Sequence, residues 1–132
     1  MVLGLPWQAS TYQQEQLGQA ICQAMAGLGR RWSLLASGDM SHALQPGAPG
    51  GFHPQAKLFD EKIIACLKQG RLSDVASIPE ELRTHAAEDV SASLVVATGV
   101  LAGAPCTHQV LSYEAPFGVG YLIAILKEGS VE

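Results

Sequence analysis

The chain has 132 residues, 48% of them hydrophobic and 15% charged, with a net charge of −4. That is apolar enough for one packed domain over 1–132, and too acidic for a nucleic-acid binder, which needs a basic face. No apolar run approaches the roughly 20 residues of a membrane span, and the first residues lack the basic and long apolar regions of a signal peptide.

Cys22, Cys66 and Cys106 are widely spaced and form no C-x-x-C pair. That argues against a zinc cage and fits reduced core thiols in a cytoplasmic protein.

The chain opens on "MVLGLPW", which reads as a short buried strand. A core strand with no lead-in reads as a cut beginning. Ser10 and Gln13 then have the spacing of a capping box. Leu17, Ile21, Ala24 and Leu28 recur at helical steps, and Gly27 and Gly29 supply a stop. Residues 30–37, "RRWSLLAS", form a continuous apolar run suited to a strand covered on both faces. Strand, helix, strand in that order predicts a right-handed crossover and parallel pairing.

The run breaks into "SGDMSHAL", followed by the loop 45–55, which holds three prolines and three glycines. Open α/β sheets place ligands at such strand ends. A helix over "KLFDEKIIACLKQG" follows, with Phe59, Ile63, Cys66 and Leu67 as its buried stripe, acids early, Lys68 late and Gly70 at its end. Residues 71–85 predict one or two short helical turns, restarted by Pro79. A longer helix is predicted over 84–101, apolar round much of its circumference and so buried. The tail reads as two strands around "APFG", a hairpin. The expected fold class is therefore α/β, a mostly parallel or mixed sheet flanked by helices.

His42 follows the strand end, where a general acid/base or a metal ligand is placed; Asp39 and Ser41 are within reach to orient its ring. The plainer alternative is a loop histidine hydrogen-bonded to backbone. No Gly-x-Ser-x-Gly elbow supports Ser37 or Ser41 as a nucleophile. Glu88 falls early in the predicted helix 84–101. It reads either as complement to the helix dipole or as an inward carboxylate that needs a partner such as a metal. Asp89 reads as solvated. His53 is placed to line the same cleft as His42. His85 and His108 read as surface or cap residues, and Glu114 as a strand-end acid. A facial iron triad needs two histidines and a carboxylate, and spacing alone offers no complete set.

Four stretches, "LLASGDMSHAL", "KLFDEKII", "AAEDVSASLVVATGVLAG" and "VLSYEAPFGVGYLIA", occur in an order that resembles class III extradiol ring-cleavage dioxygenases. The resemblance is to the catalytic B subunit of the LigB superfamily, protocatechuate 4,5-dioxygenase type, in its Memo-associated branch. It implies an Fe(II) enzyme that opens catechol-type rings with O2. It implies His42 as the catalytic acid/base and Glu88 as the carboxylate metal ligand. The resemblance covers the family's carboxyl-terminal half. The two histidine ligands would come from an amino-terminal half or a second subunit, and this chain alone would retain no iron. A homo-oligomer is expected, because halving a covered sheet exposes apolar surface. The rival expectation is a non-catalytic interaction or oligomerisation module of the Memo-like branch.

Overall fold

A computed structural model of the chain describes residues 1–6, 8–102, 104 and 107–126. Cys106 and the residues after 126, on which parts of the sequence reading fall, lie outside that set.

Ser10 opens helix α1 (Thr11–Ala26) through the predicted capping box. Its side chain accepts from the Gln13 N–H, and the Gln13 side chain accepts from the Ser10 N–H. The buried face of α1 is not the one the sequence spacing marks. Gln14 and Gly18 are buried, whereas Ala24 and Leu28 are exposed. The reason is a close crossing with α4 (Ser91–Leu101). A Cβ on Gly18 would stand 2.0 Å from the Val96 carbonyl oxygen, and one on Gly99 would stand 2.1 Å from that of Glu15. Two glycines let the backbones meet, so the contact is set by missing side chains rather than by an apolar stripe.

Helix α2 (Ala56–Lys68) buries Phe59, Ile63, Cys66 and Leu67 as predicted, and Gly70, with φ +67, follows its end. A 3-10 turn (Leu72–Ser77) and α3 (Glu80–Ala86), entered through Pro79, match the short helical turns expected over 71–85. The core gathers Met40, Phe59, Ile63, Leu67, Val75, Leu82, Leu94 and Val95 between α2, the 3-10 turn and α4. β1 (Gln109–Glu114) and β2 (Tyr121–Ile125) form the predicted hairpin, with Glu114 opposite Tyr121 and a bulge between Val110 and Ser112. Val110, Tyr113, Leu122 and Ala124 turn one face of it onto the core.

Two expectations are corrected. The sheet is neither parallel nor mixed: among the described residues it is the two-stranded antiparallel pair β1–β2. Residues 1–5 and 30–36 form no strand and take part in no backbone hydrogen bond among those described. Val2 is 97% exposed and Leu35 88%. The hairpin is closed by its own tight turn, whereas a parallel pair depends on distant partners that both lie in register. The long helix over 84–101 is also interrupted. Ala87 sits in the left-handed region at φ 52 and ψ 45, so α3 stops at Ala86 and α4 begins afresh at Ser91.

The crossing of α1 and α4 gives a direct test. Gly99→Ala drives a methyl into the Glu15 carbonyl and is expected to lower unfolding stability by about 1–3 kcal/mol. Denaturant melts of the variant and the parent check it. An unchanged midpoint would show that the two helices do not meet this closely.

Candidate functional site

The segment 37–44 is held by backbone on three sides. Gly38 lies so close to the start of α4 that a Cβ would stand 2.7 Å from both the Asp89 oxygen and the Val90 Cα. The Asp39 N–H donates to the Asp89 carboxylate at 2.5 Å, and the Asp89 N–H donates to the Asp39 carbonyl at 3.3 Å. On the hairpin side, the N–H groups of Met40 and Leu44 donate to the carbonyls of Gly120 and Gly118, and the Gly120 N–H donates to the Ser41 carbonyl. On the third side Leu44 bridges Phe52 antiparallel, and the Gly50 N–H donates to the His42 carbonyl. The loop is thus built like a short strand between the glycines of 118–120 and the loop 45–55.

Ala86 and Ala87, at the end of α3, receive the site. The Ala86 carbonyl accepts from the His42 N–H at 2.8 Å and from the Ser41 hydroxyl at 3.0 Å. The Ala87 carbonyl lies 2.6 Å from His42 Nδ1. A carbonyl can only accept, so Nδ1 carries the ring proton and Nε2 is the nitrogen with a free lone pair in the neutral ring. Nε2 stands 3.3 Å from the Asp39 carboxylate, and the His42 side chain is 21% exposed. Asp39 therefore faces the ring. Ser41 instead points inward and ties the backbone before His42 to α3.

Glu88 lies between Ala87 and Asp89, the two residues that grip the His42 loop, but outside any helix. Its side chain is 3% exposed. One carboxylate oxygen accepts from Arg83 Nε at 2.7 Å and the other from the Ser91 N–H at 2.7 Å. The second contact covers an N–H at the start of α4, so Glu88 works there as a helix cap. Both oxygens being engaged, the chain by itself does not offer Glu88 as an open metal ligand. Among the described residues, no group of three His, Cys, Asp or Glu side chains converges to hold an ion.

His53 and His85 meet each other instead of His42. Their rings stack at 3.8 Å, inclined by 16°. The Gln55 side chain accepts from His85 Nδ1, and the Gln55 N–H donates to His53 Nδ1. The pair pins the loop 45–55 to α3. His108 Nδ1 donates to the Leu126 carbonyl at 2.5 Å.

Beneath the loop lies a carboxylate that the sequence marks only as one of the early acids of α2. Asp60 is 1% exposed. Its Oδ1 accepts from the Ser41 N–H at 2.9 Å and its Oδ2 from the Tyr113 hydroxyl at 2.5 Å. Gly120 leaves the room, since a Cβ there would stand 2.3 Å from Oδ2. Burial pushes the Asp60 carboxyl above its usual range, against the opposing pull of the Tyr113 and Ser41 hydrogen bonds. Burial and the adjoining Asp60 likewise push the Tyr113 hydroxyl upward. The signal was in the sequence: Asp60, Ile63 and Leu67 repeat at three and four, which puts Asp60 on the buried face of its helix.

The family model described as the catalytic LigB subunit of aromatic ring-opening dioxygenase matches residues 5–124, and the chain belongs to that family. Protein CA_C1420 of Clostridium acetobutylicum is 35% identical to it over 106 residues, 80% of this chain and 23% of that relative. The chain thus spans less than a quarter of the length of the curated relative it matches.

Two outcomes follow from these buried groups. Arg83→Met leaves the buried Glu88 carboxylate with a single donor and is expected to cost about 1–3 kcal/mol. Adding Glu88→Gln should recover part of that loss, read as a coupling energy in a double-mutant cycle. Strictly additive losses would mean that the pair does not form. For Asp60 the sign is set by its raised folded value. The folded state takes up the proton before the unfolded chain does, so this group adds stability as pH falls from neutral through its folded value, and that gain is absent at higher pH. Unfolding measured across that range should show the parent gaining on Asp60→Asn as pH falls; a gap independent of pH would refute the shift.

Proposed function

We propose that this chain supplies the acid–base part of an extradiol ring-opening dioxygenase acting on catechol-type rings with O2. The observation that carries it is the state of His42. Its Nδ1–H is fixed on the Ala87 carbonyl, so in the neutral ring Nε2, the nitrogen that faces the Asp39 carboxylate, is the one that takes a proton from a phenolic hydroxyl. The proton then lands 3.3 Å from the Asp39 carboxylate, which balances the new charge. Ser41, through the Ala86 carbonyl, keeps the segment from turning.

The resemblance assigns Fe(II) to the complete enzyme, where it would bind the ring hydroxyls and O2, with Glu88 as its carboxylate ligand. The described residues do not make that centre, because Glu88 is bound to Arg83 and Ser91 and no further donors converge on it. In this reading the remaining donors come from an amino-terminal half or a second subunit, and the location is cytoplasmic, where free thiols such as Cys22 and Cys66 persist. No helix among the described residues is long and apolar enough to cross a membrane.

A second reading rests on the same Arg83–Glu88 pair and on the exposed apolar residues Val2, Leu34 and Leu35. It makes the chain a non-catalytic module that pairs with a copy of itself or with a partner. Exposed apolar segments of this kind favour association, so sedimentation of the chain should show a dimer or larger species; a monomer at high concentration speaks against it.

The two readings part on substitution in a complete, iron-loaded protein. His42→Ala should lower ring-opening turnover on the order of 10²–10⁴-fold with iron content unchanged, as for a lost proton acceptor. Glu88→Ala should lose iron and activity together. Full activity in His42→Ala, or iron lost with it, would remove the acid–base role.

A further inference from the structure

We propose that Asp60 and Tyr113 are positioning residues for His42. Their buried hydrogen bond fixes the peptide of Ser41, and through it the orientation of the His42 ring. The inference rests on the acid–base role given to His42 above, but its test needs neither substrate nor metal.

Asp60 joins three parts of the chain that are distant in sequence. It stands on α2, accepts from the backbone of Ser41 in the loop, and accepts from Tyr113 on β1. Both oxygens are occupied, and no Lys, Arg or His lies within ion-pair reach of it among the described residues. A charged or polar group this deeply buried costs stability unless every partner is in place. An apolar residue at position 60 would fill the same space in the core of α2 without that demand. The carboxylate contributes what an apolar side chain cannot, a fixed acceptor for one particular N–H.

That N–H belongs to the residue before His42. Holding the Ser41 peptide from below sets the direction in which the next residue leaves. The Ser41 hydroxyl and the His42 N–H then both reach the Ala86 carbonyl, and the ring reaches the Ala87 carbonyl. Tyr113 sets the other end, since its hydroxyl holds Asp60 Oδ2 while Gly120 keeps that space open. A misaimed ring would lose the Ala87 contact and with it the preference for the proton at Nδ1.

The test reads the His42 imidazole by nitrogen NMR in the 132-residue chain, with His42→Gln to assign its signals. The parent should show the Nδ1–H form as dominant. Tyr113→Phe removes one hydroxyl and should shift His42 toward the Nε2–H form that free histidine favours. Asp60→Asn should shift it further, because the Asn amide must turn a donor toward Tyr113 or Ser41. Gly99→Ala, destabilising at the distant crossing of α1 and α4, should leave the His42 spectrum as in the parent. An unchanged His42 spectrum in folded Tyr113→Phe overturns the inference. So does a shift of equal size in Gly99→Ala, which would make the effect one of general loosening. If Asp60→Asn does not fold, Tyr113→Phe decides alone; if Tyr113→Phe does not fold, the network is a folding element and the positioning role is lost. Ring-opening assays of a complete protein are scored separately, so a failure of the dioxygenase reading leaves the nitrogen spectrum standing.

Discussion

The left-handed turn at Ala87 is the constraint on which the site depends. An L-residue at φ 52 pays on the order of 1–2 kcal/mol to sit there, and the surroundings must hold it. Here they do so by using what the turn exposes. Ending α3 at Ala86 frees two carbonyls, and both are taken by the His42 loop. The reversal then swings Glu88 back under the start of α4, where its carboxylate caps the Ser91 N–H and meets Arg83 from α3. A straight helix through 84–101 would have satisfied those carbonyls internally and left the histidine without an anchor.

That is also where the sequence reading was blind. Ala86 and Ala87 are strong helix formers, and nothing in "THAAEDVSAS" announces a left-handed residue. Tertiary hydrogen bonds override the local preference, and they come from a loop more than 40 positions away. By contrast, the capping box at Ser10, the stripe of α2, the Pro79 restart and the hairpin around "APFG" are local signals, and each appears as read. The segment "SGDMSH" was legible as a site because glycine and polar residues interrupt an apolar run. Asp60 was hidden by its neighbours: with Glu61 and Lys62 beside it, one carboxylate on the buried face reads as part of a charged patch.

The parallel sheet failed for a related reason. Residues 30–37 have the composition of a strand covered on both faces, and that composition states what the segment needs rather than what the chain provides. The apolar slots beside it share Trp32, Leu34 and Leu35 and are lined further by Leu94, Leu122 and Leu126 in one case and by Leu3, Ile21 and Met25 in the other. A strand pairs only where a neighbour offers hydrogen bonds in register. The hairpin has such a neighbour within a few residues, and 30–37 has none among the described residues.

The described residues hold His42 and Glu88 in different ways. The histidine is aimed by backbone carbonyls, by the Ser41 hydroxyl and by the buried Asp60–Tyr113 pair, all of which belong to this chain. The ring's tautomer thus needs no metal to define it. Glu88 is different: its charge is balanced by Arg83, which itself is partly exposed. A cation arriving near Glu88 would compete with a guanidinium, not enter a preformed cage, so strong binding would require additional donors. The His42 ring and the Glu88 carboxylate are in this way held by separate groups, and a change in one need not disturb the other.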